Sequence, residues 1–558
     1  MTNNSIPIAS SEPGISTPQG TASRTRVLLQ GPIILTLLRL GPPNVVVNVV
    51  LIAVTASVDA HFIGRFGPNA LAGISLVFPL IMLMQQVANS SMGGAIAAAV
   101  ARAIGAGRHG DASALVVHGV IIATGMAAIF ALVLLIGGPT IYRLIGGSGE
   151  VLAAALEYSN ALFAGSLAYW MLSTLTSVVR GAGHALVLAV VYLAAEALHI
   201  VLVPVLMFGI GPLPALGITG AGIATVSSFT ASSLVLAWYI ASGRTAVEMS
   251  FRDVRLTRRL FVEILRVGLP MSLQPSLNNV GLAFLTGFVG SLGAAQLAGF
   301  GVAARLEYIL YPLTFGIDAG LLAIVGTNLG AGNYARVVRA SWIAAGLAGL
   351  VTGCIGLFGV IAPGTWASLF TDSAEVSTLA AQYLIVIGLT YPFLGAGLTL
   401  ASAFQAAGRP EWAVVGITGR VSVVIVGGWI AVHLVGSGLR GLALVAGSGL
   451  VVYGAIQMIA FRAGVWRTTA SPADIKPSRA GRDFGSLPDC APITCCRAPI
   501  RSGAIATARR CTQGSRLCRP GRERMETLPA VQRLREATAD LPPIWHARKW
   551  PGTHRPKY

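Results

Sequence analysis

Long apolar runs set the pattern of this chain. A helix that crosses a bilayer needs about 20 mostly apolar residues. Runs of that length occur at roughly 34–63, 69–104, 112–141, 151–180, 185–208 and 215–241. A polar stretch follows, Gly243 to Arg259, and then six more runs at roughly 261–290, 294–329, 337–362, 376–406, 412–436 and 440–464. The pattern predicts an all-α polytopic membrane protein with twelve transmembrane helices in two sets of six. Several runs exceed the bilayer thickness, so tilting or bending is expected, with Gly41-Pro42-Pro43 and Gly93-Gly94 as bend points.

Composition supports lipid as the solvent. The chain is 54% hydrophobic and 11% charged, against about 25% charged in soluble domains. Residues 1–33 are expected to form a disordered cytoplasmic N-terminus; rich in Ser, Pro and Thr, they carry no secretory cleavage pattern. The net charge of +18 is uneven: from Arg467 onward there are 18 Lys and Arg against 7 Asp and Glu. Apolar periodicity stops at about the same place, so 465–558 reads as a basic, disordered cytoplasmic tail able to lie on anionic lipid. A nucleic-acid partner is not expected. Five of the six cysteines lie in that tail without a C-x-x-C spacing, which gives no zinc pattern.

Charge also orients the spans. Arg102, Arg108, Arg180, Arg244, Arg252, Arg255, Arg258, Arg259, Arg336, Arg339 and Arg409 fall in loops on one side, and Arg65, Arg143 and Arg440 on the other. The positive-inside rule then places both termini and the central loop in the cytoplasm, with the protein in the inner (plasma) membrane.

The two sets of runs repeat one another. Phe62-Ile63-Gly64, Gly67 and Leu71-Ala72-Gly73 match Phe288-Val289-Gly290, Gly293 and Leu297-Ala298-Gly299. Arg39, Gly41 and Pro43 match Arg266, Gly268 and Pro270, and Gly105-Ala106-Gly107 matches Gly330-Ala331-Gly332. Gly183 matches Gly408. Ordered matches at a nearly constant offset predict two six-helix lobes, 34–241 and 261–464, joined by a cytoplasmic linker, 242–260. With an even number of helices each, the lobes are expected to be parallel repeats about an axis along the membrane normal, binding substrate between them and rocking to give alternating access.

These features resemble the multidrug and toxic compound extrusion family over about residues 34–464. The motifs are Asp59-x-x-x-x-Gly64 with Gly67 and Leu71-Ala72, Ala101-Arg102 with Gly105-Ala106-Gly107, Arg180-Gly181-x-Gly183, Arg266-Val267-Gly268-Leu269-Pro270, and Gly326-x-x-x-Gly330-Ala331-Gly332. The resemblance implies export of cationic, amphipathic drugs against a proton or sodium gradient, with no cofactor.

Leaving aside the acids read as lying at helix ends, four fall inside predicted spans: Asp59, Glu196, Glu307 and Asp318. A carboxylate at the bilayer centre costs roughly 3 kcal/mol on insertion scales, so each is a candidate for function. Asn44, Asn48, Thr55 and Asp59 share one helical face within about 60°. Asp59 matches the family's first-helix acid, which the resemblance links to proton or sodium coupling; Thr225 matches a residue near it, and His199 a polar position. The resemblance places a second acid just before the proline of the fifth helix, where this chain has Val203 before Pro204. In the second lobe, Glu307, Tyr311, Thr314 and Asp318 form a stripe suited to a cation or an ion, and the seventh helix adds Gln274, Asn278 and Asn279 but no acid beyond its first turn. Plainer readings stand beside these: a solvated Asp59, a hydrogen-bonded core His199, a helix-end Asp318. Phe78, Met82, Met84 and Tyr169 are candidate walls of a greasy cavity, while Arg420 and His433 read as structural or interfacial.

The expected function is therefore drug/cation antiport by alternating access. Ion coupling falls to Asp59, His199, Thr225, Asp318 and Glu307, and substrate contact to Asn44, Asn48, Asn278, Tyr311 and Thr314. The expected partners are small cationic drugs and membrane lipids, with the chain acting as a monomer. The alternative is export of a lipid-linked or polysaccharide precursor, which calls for a more basic cavity. No phosphate-binding loop, metal cluster or nucleophile elbow marks an enzyme.

Overall fold

The computed structural model describes residues 19–49, 55–209, 214–245, 247 and 255–467, so the tail from residue 468 lies outside the described residues. These contain helices and no strand. In chain order they are α1 (Gln19–Gln30), α2 (Ile33–Val49), α3 (Thr55–Ile63), α4 (Pro68–Gln86), α5 (Gly93–Gly105), α6 (His109–Leu144), α7 (Gly149–Ala164), α8 (Ser166–Gly181), α9 (Ala185–Phe208) and α10 (Gly217–Ala241). The second half follows with α11 (Arg258–Gly290), α12 (Ala294–Gly330), α13 (Tyr334–Ile361), α14 (Pro363–Ala367), α15 (Ala374–Gly388), α16 (Tyr391–Ala406), α17 (Glu411–His433) and α18 (Leu439–Arg462).

Among the described residues, eight spans are long and apolar enough to cross a membrane, and two bent pairs raise the number to ten. Of the twelve expected runs, the first coincides with α2 and α3 and the seventh with the 33-residue α11, none of which meets that test. The sharp bends fall where the sequence did not place them: 49° between α7 and α8 at Gly165, and 53° between α15 and α16. The second is intelligible, because Pro392 lies in the first turn of α16, where a residue without an N–H starts a new helix. At the expected bend points, Pro42 and Pro43 sit inside α2, and Gly93-Gly94 follow a π-helical turn, Val87–Met92, that carries α4 into α5. Within the N-terminal segment expected to be disordered, residues 19–30 form α1. Leu28 is buried there against α12, and its carbonyl accepts from Asn328 Nδ2 at 3.1 Å.

Packing follows the repeat. One core is built mainly from the first half, with Leu260, Ile264, Val267 and Met271 of α11 joining it, and a second from Leu285 to Leu450. The halves meet in a third, where Leu28, Ile33, Leu37, Ala97 and Ala98 join Leu321–Val325 and Phe404. At this meeting α5, Ala-rich and buried nearly throughout, packs against the last turns of α12. A Cβ on Gly105 would strike the Thr327 carbonyl, and one on Gly330 would strike the Arg102 carbonyl. Gly105 and Gly330 are counterparts in the sequence repeat, and at the same offset so are Arg102 and Thr327. The two contacts are therefore one contact repeated about a two-fold axis.

A second pair obeys the same rule. Arg180, expected in a loop, is buried in the last turn of α8; it donates to Asn89 Oδ1 at 3.0 Å and lies 4.9 Å over the Phe315 ring of α12. Its counterpart in the repeat is Gln405, whose Nε2 donates to the carbonyls of Ser90 and Ser91 at 2.9 and 3.0 Å, and Ser90 is the counterpart of Phe315. Arg102 adds a bond across the halves, donating to the Ala406 carbonyl at 2.7 Å while pairing with Glu263 at 3.0 Å. These approaches lie toward the arginine-rich end. At the opposite end α3 packs on α9, α10 and α4, all in the first half.

Candidate functional site

The first-half acid is held by two other helices. Asp59, on α3, is buried. The Tyr158 hydroxyl on α7 donates to its Oδ2 at 2.6 Å, and His199 Nε2 on α9 lies 3.1 Å from its Oδ1. One turn back along α9, Glu196 accepts from the Thr55 hydroxyl at 2.8 Å. Thr225 on α10 is buried beside the Tyr158 hydroxyl, its own hydroxyl donating to the Ala221 carbonyl at 3.1 Å.

This cluster walls a cavity of about 330 Å³. Asp59, Thr55, Tyr158, Thr225, Ser75 and Gln85 provide the polar part of the wall, and Phe78, Ile81, Met82, Met84, Leu162 and Phe229 most of the apolar part. No Lys, Arg or His lines it among the described residues. A greasy cavity with one ionisable wall matches an amphipathic cation: apolar surface fills the pocket while the carboxylate answers the charge. Of the expected apolar walls, Phe78, Met82 and Met84 are in place. Tyr169 stands behind, its ring 5.2 Å from that of Phe229.

The stripe expected on the first helix divides. Thr55 and Asp59 reach the cavity. Asn44 and Asn48 lie on α2, which packs against α9 and α12. Asn44 is buried and donates to the Leu40 carbonyl at 2.8 Å.

The second-half stripe divides as well. Glu307 is paired with Arg420 of α17 at 3.0 Å, and Arg420 also donates to Asn278 Oδ1 at 3.1 Å and to the Tyr311 hydroxyl at 3.4 Å. Glu307, Tyr311, Asn278 and Arg420 therefore form one network, lining a small cavity of about 50 Å³. Paired in this way, Glu307 does not face the cavity as a free negative charge. Thr314 turns its hydroxyl into its own helix, donating to the Leu310 and Tyr311 carbonyls at 3.0 Å each. Asp318 sits apart from this network, near Thr399 and Ser402 of α16, with Oδ1 buried and unpartnered. Arg305 lies 4.7 Å over the Phe370 ring, and His433 stacks on Trp429. Among the described residues no three His, Cys, Asp or Glu side chains converge as a metal site.

Tyr158 is a functional candidate that sequence reasoning missed, and Arg420, read there as structural or interfacial, is placed on an acid that the sequence did not link to it. Each reaches its acid across about a hundred residues or more (99 for Tyr158 to Asp59, 113 for Arg420 to Glu307), so no local spacing announces it.

Comparison with known proteins decides the family. The MatE family model matches twice, at residues 45–205 and 270–430, the second match displaced along the chain just as Gly330 is from Gly105. The chain belongs to the MatE family. It is a multi-pass membrane transporter, as members of this family are. Similar proteins include the FAD transporter of Shewanella oneidensis, 25% identical over 385 residues, covering 69% of this chain and 84% of that one. The probable multidrug resistance protein NorM of Thermotoga maritima is 25% identical over 355 residues, covering 63% and 75%. Among solved structures, a crystal structure of MATE in the bent conformation superposes with a TM-score of 0.74 at 24% identity, covering 81% of this chain and 98% of that one. The duplicated MatE match and the two-fold packing of α5 on α12 have the same period.

Proposed function

We propose that this chain exports cationic, amphipathic compounds in exchange for protons or sodium, by alternating access of two six-helix lobes, 34–241 and 261–464. The observation that carries the reading is Asp59, a buried carboxylate on the wall of a largely apolar cavity. Ionised, it attracts a cation; neutralised by a proton or replaced as partner by sodium, it releases one. The lobes meet at the arginine-rich end, which the positive-inside rule assigns to the cytoplasm, so the arrangement corresponds to a state closed inside. A ligand shifts such an equilibrium only by its differential affinity for the two states, and charge neutralisation at Asp59 supplies the difference.

A second reading, export of an anionic dinucleotide, is favoured by the FAD transporter among the relatives. Against it stands the cavity wall, where a pyrophosphate would meet Asp59 and no basic side chain. The test is ethidium movement in vesicles carrying the wild-type chain, with an imposed proton or sodium gradient. Gradient-driven efflux that tetraphenylphosphonium inhibits and FAD does not is the expected result. Insensitivity to both gradients, or inhibition by FAD alone, would reject the proposal.

A further inference from the structure

We infer that Glu196 is the second acid of the coupling site, so that Asp59, His199 and Glu196 exchange charge as one cluster. This rests on the reading of Asp59 as the cation-attracting group. Glu196 and His199 lie three residues apart on α9, hence on one helical face, and both are buried. His199 turns Nε2 toward Asp59, while its Nδ1 is buried without a partner; Glu196 gives one oxygen to Thr55, and its Oε2 is likewise buried without a partner. Thr55 lines the cavity alongside Asp59, so Glu196 sits one hydroxyl behind the wall.

The charged or titratable groups facing Glu196 are His199 and Tyr192 on its own helix and Asp59 from α3. No Arg lies within ion-pair distance of it among the described residues. Val203, one turn beyond His199, is fully buried and apolar, so it adds no charge.

The charge count follows. With both acids ionised and His199 protonated, the cluster carries one negative charge, and a single further proton makes it neutral. The cavity thus alternates between attracting a cation and releasing it on one proton. Without Glu196, an ionised Asp59 and a protonated His199 already cancel, and the cavity becomes negative only when His199 loses its proton.

The test measures tetraphenylphosphonium binding against pH on the purified full-length chain. Wild type binds more tightly as pH rises through the loss of one proton. Glu196→Gln is expected to move that midpoint toward alkaline pH by about one unit or more, and Glu196→Asp to restore it. An unmoved midpoint in Glu196→Gln, with only overall affinity changed, overturns the assignment. Asp59→Asn separates the two levels: loss of binding at every pH in this variant, beside an unmoved Glu196→Gln, overturns the Glu196 inference alone, whereas wild-type binding by Asp59→Asn overturns both. If Glu196→Gln does not fold, Thr55→Val asks the same question. Thr55→Val removes the hydroxyl that donates to Glu196, which disfavours the ionised carboxylate, so the midpoint should again move toward alkaline pH; an unmoved midpoint overturns the inference.

Discussion

Arg420 decides what Glu307 does. The guanidinium is 3.0 Å from the carboxylate, and the two side chains are only 16% and 17% exposed. Breaking a buried pair by removing one partner costs roughly 3–5 kcal/mol, because it strands a charge, whereas replacing both can be nearly neutral. Arg420→Gln and Glu307→Gln are therefore each expected to lower the thermal midpoint in detergent, and the double variant to recover most of the loss. Additive losses in that cycle would show that the pair is not coupled. Asp59, by contrast, has a histidine and a phenol as partners rather than a guanidinium. The acids themselves were legible in the sequence, because a carboxylate in an apolar run stands out. Their different fates were not, because Arg420, Tyr158 and His199 reach them from other helices across 113, 99 and 140 residues.

At the scale of elements, the crossing of α5 and α12 joins the two halves at the arginine-rich end. Its geometry depends on absent side chains at Gly105 and Gly330, where a Cβ would meet backbone rather than a flexible side-chain tip. Overpacking a close contact costs about 1–3 kcal/mol, which is roughly a five- to 150-fold change in a two-state ratio. Gly330→Val should thus shift the lobes toward separation at this end. A cysteine at Ala98, fully buried at the interface in the parent, should then react faster with a maleimide in a background lacking the native cysteines. Unchanged reactivity would mean that the crossing does not hold the end closed. The sequence showed the Gly-Ala-Gly motifs as a repeat but not that one copy packs on the other, since a period in the chain does not say which faces meet. The bend at Gly165 was invisible for a related reason: the apolar run continues through it, and one glycine among 67 carries no special mark.

For the molecule as a whole, the internal duplication was the most legible feature, because it leaves a constant offset in the sequence. The MatE matches and the two-fold contacts both repeat at that offset. What that organisation does depends on whether cation movement through the cavity is tied to a counter-ion at Asp59. The direct measurement uses liposomes containing the purified chain, an imposed outward gradient of tetraphenylphosphonium, and entrapped reporters of pH and sodium. The wild type should draw protons or sodium inward as the cation leaves, and Asp59→Asn should not. Counter-ion uptake by Asp59→Asn equal to that of the wild type would contradict the account.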